Sequence, residues 1–119
     1  MTENNQYLGN PNLKKANISQ EWTNDQLSEY AKCMEDPQYF IENYVRIVSL
    51  DEGLIPFKMY PFQKEMVGTF HSNRFTICKL PRQSGKSTVM VSYLLHYALF
   101  NDSVNIAILA NKAATARDL

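Results

Sequence analysis

The stretch CKLPRQSGKST, from Cys78 to Thr88, restricts what this chain can fold into more than any other feature. Its first three residues end the apolar run RFTICKL, and its last residues begin a long apolar run that ends at Phe100. A Gly-Lys-Ser sequence in that setting is typical of a loop that holds phosphate groups, because backbone N–H groups and a helix N-terminus converge on the anion. The sequence therefore predicts a phosphate-binding loop between a buried strand and a helix.

The loop departs from the usual Walker A pattern, G-x-x-x-x-G-K-[ST], at its first position. Counting back five residues from Gly85 gives Leu80, not glycine. Pro81 fixes its own φ and pushes Leu80 toward extended backbone, so we expect a stiffer loop with Arg82 at its shoulder. Arg82 is either a solvated surface charge or a cation supplied to the γ-phosphate, in the manner of an arginine finger.

Each remaining loop residue has an expected role. Lys86 would reach the β- and γ-phosphates, and the Ser87 hydroxyl would hold Mg²⁺. Gly85 is needed because a side chain there would fill the space that the phosphates occupy. The predicted cofactor-binding residues of the loop are Arg82, Gln83, Ser84, Gly85, Lys86, Ser87 and Thr88; Ser87 is the predicted metal ligand, and Arg82 and Lys86 are the predicted catalytic residues.

The upstream half of the chain carries local signals for helices and a hairpin. Residues 1–21 are Asn-rich and without apolar periodicity, which indicates a flexible N-terminal arm. Thr23 and Gln26 form a capping box that predicts a helix with an apolar face of Leu27, Tyr30, Ala31 and Met34. Asp36 and Pro37 predict the start of a second helix, with Tyr39, Phe40, Tyr44 and Val45 buried. Two short strands are expected around DEG at 51–53, and a helix follows from Pro61, with Phe62, Met66, Val67 and Phe70 as its apolar residues.

The downstream half reads as strand, loop, helix, strand and helix. RFTICKL and VNIAILA are the two apolar runs that predict buried strands, and NKAATARDL predicts a final helix. That order is a βαβ unit, in which parallel strands are covered by helices. We therefore expect an α/β fold of the P-loop NTPase (RecA/helicase-like) type, with a parallel sheet flanked by helices and preceded by a small helical and hairpin region. Residues 22–119 would form the N-terminal portion of this domain.

Composition sets broad limits on function. The 12 Lys and Arg residues balance the 12 Asp and Glu residues, which argues against a nucleic-acid footprint over the whole surface. The two cysteines have no CxxC or metal-ligand spacing, so we expect reduced thiols. No apolar run approaches the roughly 20 residues that cross a bilayer, and the first residues lack the apolar core of a signal peptide.

The phosphate loop and four further segments, in the family's order, resemble the large terminase subunit, the ATP-driven DNA-packaging motor of tailed phages, in its T-even-like form. LPRQSGKST looks like the deviant phosphate loop of that family. YLGNPNLKKANISQEWT and DPQYFIENYVRI are similar to its segments ahead of the motor core. MYPFQKEM resembles its adenine-recognition segment, and NIAILANKAATARDL its next strand and helix.

The resemblance implies ATP and Mg²⁺ as cofactors and adds one site residue. Gln63 matches the family glutamine that reads the adenine edge, and its amide can donate and accept together. The family has a basic residue three positions earlier, where this chain has Tyr60. The implied partners are double-stranded viral DNA, the portal protein, the small terminase subunit and further copies in a ring on the portal, in the host cell cytoplasm and without a membrane.

The resemblance also implies what is missing. The Asp-Glu pair that ends a later strand in the family does not occur after the loop, so we expect an N-terminal fragment without ATPase activity of its own. Nuclease activity would belong to the full-length protein. Two alternatives stay open: a helicase-like P-loop translocase, and a truncated, non-catalytic nucleotide-binding remnant.

Overall fold

Four helices of eight or more residues form the body of the chain in a computed structural model, which describes residues 6–118. Their bounds are Asn24–Glu35 (α1), Pro37–Tyr44 (α2), Pro61–Ser72 (α3) and Lys86–Phe100 (α4), and a short helix, α5, covers Ala113–Arg117. The four long helices coincide with the segments for which the sequence predicts helices. Leu119 and residues 1–5, which belong to the predicted domain and arm respectively, lie outside the described range.

The predicted start signals of α1 and α2 are confirmed. The Thr23 hydroxyl accepts a hydrogen bond from the Gln26 N–H at 3.2 Å, and Gln26 Oε1 accepts one from the Thr23 N–H at 3.0 Å. Asp36 ends α1 and begins α2, since its Oδ1 accepts from the backbone N–H groups of Gln38 and Tyr39. Each cap accepts hydrogen bonds from backbone N–H groups that have no partner within the helix. Such a cap stabilises the helix by about 1 kcal/mol.

The hydrophobic core lies where α2, α3 and α4 meet. Each of these helices contributes one fully buried aliphatic side chain: Ile41, Val67 and Val89. Phe57 and Met59, in the segment before α3, complete it. Burying a side chain of this size stabilises a fold by roughly 1.5–3 kcal/mol. The core therefore fixes α4, and with it the residues just ahead of α4, against α3.

The predicted apolar faces are only partly correct. Phe40, Met66 and Val67 are buried as expected, Tyr39, Val45 and Phe70 are half-buried, and Tyr44 and Phe62 are exposed. The face predicted for α1 is wrong: Leu27, Tyr30, Ala31 and Met34 are all exposed, whereas Cys33 is buried. The reason is that α1 lies at the margin of the helical cluster, where a helix buries a narrow strip instead of a broad face.

Two antiparallel hairpins accompany the helices. Strands β1 (Gln6–Tyr7) and β2 (Asn10–Lys14) pair within the predicted arm, and β2 is exposed along its whole length. Strands β3 (Arg46–Ser49) and β4 (Gly53–Pro56) pair from Arg46↔Pro56 to Ser49↔Gly53, around the turn predicted at DEG. Gly53 closes that turn with φ +73°, a conformation that favours glycine.

The prediction of a P-loop NTPase fold with a parallel sheet is wrong for the part of the chain that the structure describes. Its sheets are the two antiparallel hairpins, and neither 74–80 nor 104–110 belongs to a strand. Phe75, Ile77 and Leu109, the expected core residues of these segments, are 83–99% exposed. Apolar composition favours a strand, but a strand also requires a neighbour for its N–H and C=O groups. The segments 74–80 and 104–110 do not pair with each other as strands.

Among residues 6–118, no helix is long and apolar enough to cross a membrane.

Candidate functional site

A broad pocket of about 910 Å³ opens in front of the predicted phosphate loop. Three parts of the chain form its walls: the β3–β4 hairpin with the segment after it, the start of α3, and the loop itself. The residues that line it are Ile47, Glu52, Ile55, Pro56, Phe57, Lys58, Tyr60, Phe62, Gln63, Leu80, Pro81, Gln83, Ser84, Gly85 and Thr88. The structure thus brings Gln63, Gln83, Ser84, Gly85 and Thr88, all predicted to bind a cofactor, to one cavity.

The loop leaves the N-terminus of α4 open. Gly85 is the N-cap residue with φ +74° and ψ 13°, and no side chain caps the helix there. A Cβ at this position would lie 2.7 Å from Gln63 Nε2 in addition to requiring a left-handed backbone. Conformation therefore requires glycine here, and any side chain at this position would also displace the Gln63 amide. The uncapped N–H groups of the first turn remain as donors at the positive end of a 15-residue helix.

Two further features of the loop point to an anion as its ligand. Gln83 has φ +59°, a conformation that costs a non-glycine residue about 1–2 kcal/mol, and such residues cluster at binding sites. The Ser84 hydroxyl oxygen is buried without a hydrogen-bond partner in the protein. A buried hydroxyl without a partner is destabilising, so a ligand that accepts its proton would remove that cost.

Lys86 lies across the loop. Its ammonium group is 3.3 Å from the Leu80 carbonyl oxygen and 3.5 Å from that of Pro81. These weak, long contacts hold the ammonium group against the first residues of the loop and leave donor capacity for a phosphate oxygen. Leu80, at the position where the usual pattern has glycine, thus uses its backbone carbonyl, which any residue supplies.

Gln63 joins two walls of the pocket. Its side chain is 2% exposed, so it is not a solvent-facing helix residue. Oε1 accepts a hydrogen bond from the Tyr60 N–H at 2.9 Å, and Nε2 donates to the Ser84 carbonyl at 3.3 Å. One amide hydrogen and one oxygen lone pair remain after these two bonds. The amide can therefore support the loop and still contact a base.

Tyr60 and Phe62 form an aromatic surface beside Gln63. Their rings are nearly parallel, with centroids 6.0 Å apart and an interplanar angle of 8°. Tyr60 is 65% exposed and Phe62 is 38% exposed, and both line the pocket. Exposed aromatic faces suit stacking on a planar base. Tyr60 thus offers an aromatic ring at the position where the family that the sequence resembles has a basic residue.

Three predicted residues, Arg82, Lys86 and Ser87, are not among those that line this cavity. Arg82 is exposed and lies outside its lining, and Ser87 lines an adjacent cleft of about 370 Å³ with Arg46 and Asp118. Thr88, one residue further along α4, borders both cavities. The catalytic role of Arg82 and the metal role of Ser87 stay predictions.

Sequence reasoning missed residues that the β3–β4 region contributes to the pocket. Lys58 contributes a cation to the cavity lining, and Glu52, from the DEG turn, contributes a carboxylate. In the sequence, the LDEG segment at 50–53 precedes the loop by about 30 residues. Only the folded hairpin places it opposite the loop, so a linear motif could not reveal it.

The loop residues suit a nucleoside phosphate better than they suit a metal on its own. The open helix end, Lys86 and the unpartnered Ser84 hydroxyl are all hydrogen-bond donors, and donors are what phosphate oxygens require. In contrast, residues 6–118 contain no cluster of three His, Cys, Asp or Glu side chains that could hold a metal ion. Mg²⁺ would depend on the Ser87 hydroxyl together with the oxygens of the ligand itself.

No protein-family model matches the chain.

Proposed function

We propose that this chain binds ATP with Mg²⁺ at the pocket between α3 and α4, as the ATP-binding part of a viral DNA-packaging motor. The observation that carries nucleotide binding is the geometry of Gly85: a left-handed N-cap that opens the helix end toward a cavity lined by Gln63. The motor assignment rests on the resemblance of the phosphate loop and four further segments to the large terminase subunit. In that setting hydrolysis of ATP would drive double-stranded DNA into the prohead.

Different residues of the chain would bind the phosphates, the base and the cation. The N–H groups at the start of α4, the Ser84 hydroxyl and Lys86 would bind the phosphates. Gln63 would read the adenine edge while Tyr60 covers the ring. Ser87 would hold the cation, which neutralises phosphate charge when bound, and Arg82 would reach the γ-phosphate after moving from its exposed position.

Nucleotide affinity should depend on Lys86. We expect Lys86→Ala to weaken ATP binding by about tenfold or more, because the phosphate charge would lose a cationic partner supplied by the loop. Titration calorimetry with ATP and Mg²⁺ measures the change, and Lys112→Ala, which removes an exposed lysine far along the chain, is the matched control. Unchanged ATP affinity in Lys86→Ala would exclude this loop as the phosphate site.

A further inference from the structure

On the far side of the core, α1, α2 and the end of α4 enclose a groove of about 300 Å³ that the nucleotide site does not use. Trp22, Tyr30, Phe40, Tyr44 and Phe100 form its walls, and Glu29 stands at its edge; we call it the aromatic groove. Trp22 meets Tyr30 edge-on at 5.7 Å between ring centroids, and Tyr30 meets Phe100 at 5.1 Å. Phe40 and Tyr44 are stacked 6.1 Å apart.

The aromatic rings are not sealed into the core. Trp22, Tyr30 and Tyr44 are 43–52% exposed, whereas Phe40 beneath them is 8% exposed. The groove therefore has a buried floor and accessible walls. Partly exposed aromatic rings offer π-faces as well as edges, and π-faces attract cations.

Glu29 supplies a fixed negative charge at the edge of the groove. Its Oε1 accepts hydrogen bonds from the Tyr39 hydroxyl at 2.7 Å and the Tyr44 hydroxyl at 2.9 Å. These two bonds, that from Tyr39 first, lower the pKa of the Glu29 carboxyl, so it is ionised at neutral pH. Oε2 has only a distant, exposed partner, Lys32 Nζ at 3.8 Å. The two hydrogen bonds to Oε1 therefore orient the carboxylate, and Oε2 stays accessible to a ligand.

We propose that the aromatic groove binds an arginine side chain presented by a partner protein. Its chemistry is complementary to such a side chain in two ways: the rings match the flat guanidinium face, and Glu29 Oε2 matches its N–H groups. The apolar floor suits the methylene stem of the same residue. Arginine fits better than lysine because an ammonium group is more strongly hydrated and cannot stack.

The test uses the only tryptophan of the chain as the reporter. Trp22 forms a wall of the groove, so its fluorescence should respond when the groove fills. The full 119-residue chain is titrated with N-acetyl-arginine amide, and separately with the uncharged isostere N-acetyl-citrulline amide, at constant ionic strength. We expect saturable binding of the arginine compound, with affinity roughly in the millimolar range for one side chain, and about tenfold weaker binding of the citrulline compound.

Three variants decide between recognition of the charge and simple filling of an apolar groove. Glu29→Gln keeps an oxygen for the two tyrosine hydroxyls but removes the charge, and should weaken arginine binding about tenfold. Glu35→Gln makes the same charge change on the exposed side of α1 and should have no effect. Lys32→Met removes the intramolecular competitor for Oε2, so it should strengthen binding, a result that damage to the fold cannot produce.

Other outcomes overturn the proposal. Equal binding of the citrulline and arginine compounds, or unchanged binding in Glu29→Gln, would leave an apolar groove without charge recognition. N-acetyl-lysine amide binding as tightly as the arginine compound would contradict the guanidinium assignment. The absence of any saturable response of Trp22 would exclude an arginine site at this groove.

Discussion

At the scale of single residues, the roles of Gln63 and Gly85 depend on each other. Gln63 Nε2 lies where a Cβ on residue 85 would have to go, and it donates to the carbonyl of Ser84 next to it. A glutamine side chain can come this close to the loop only because position 85 has no side chain. The same contact fixes the open helix end relative to α3. The geometry of the phosphate loop and the geometry of the pocket wall at Gln63 therefore depend on the same contact.

Replacing Gln63 separates its two functions. If its remaining donor and acceptor contact adenine, Gln63→Ala should weaken ATP binding more than GTP binding, by roughly 1–3 kcal/mol for a bidentate amide contact. Competition between the two nucleotides for the same site measures the difference. Gln38→Ala is the matched control, because Gln38 also donates from its amide to a backbone carbonyl, that of Lys64, away from the pocket. Equal losses for ATP and GTP would limit Gln63 to supporting the loop.

At the scale of elements, one buried polar contact joins α4 to α1. His96, 3% exposed, has its Nε2 2.8 Å from the Cys33 carbonyl oxygen. Its ring also packs against Phe40 and Phe100. Burial lowers the pKa of His96 below 6.5, because removal from water disfavours the charged imidazolium. The neutral ring therefore fits this junction.

This junction predicts a loss of stability in mild acid. The folded state holds the His96 proton less tightly than the unfolded state does, so stability is complete above the unfolded pKa near 6.5 and falls as pH decreases below it. Thermal unfolding between about pH 7.5 and pH 5.5 should show a decreasing melting temperature. His96→Gln should flatten that dependence, whereas His71→Gln, at an exposed histidine, should keep it. An equal slope in His96→Gln would assign the acid sensitivity to other groups.

The elements also show what a sequence can predict here. The starts of α1 and α2 depend on neighbours within three residues, as Thr23 with Gln26 does, so linear patterns identify them. The β3–β4 hairpin is equally local. The failed strands at 74–80 and 104–110 depend on a pairing partner distant in the chain, and apolar composition carries no information about that partner. The same limit applies to the site: the start of α4 after Gly85 was predictable, but the position of Lys58 and Glu52 in the same cavity was not.

At the scale of the whole molecule, the chain is more open than its length requires. Its radius of gyration is 17.3 Å, against about 13.5 Å for a compact chain of this length. The segments 74–80 and 104–110, which belong to no strand, carry exposed apolar side chains, above all Ile77 at 99% and Leu109 at 88% exposure. Unpaired backbone beside exposed apolar side chains favours self-association.

Self-association should therefore depend on these segments. We expect Ile77→Ser to weaken concentration-dependent association by about threefold or more, because it removes apolar surface from an unpaired extended segment. Sedimentation velocity over a range of concentrations measures it. Leu50→Ser is the matched control, since Leu50 is equally exposed but lies in the β3–β4 turn. Identical association of the two variants would show that exposure alone, without the unpaired backbone, controls the behaviour.

The bridge that Gln63 makes also couples motions at its two ends. Rotation of that one amide breaks its hydrogen bonds to the Tyr60 N–H and the Ser84 carbonyl together. The Tyr60 N–H can then exchange with solvent when the loop moves away from α3, although the two lie far apart in the chain. The rate of hydrogen exchange at the Tyr60 amide should therefore report how often the phosphate loop opens.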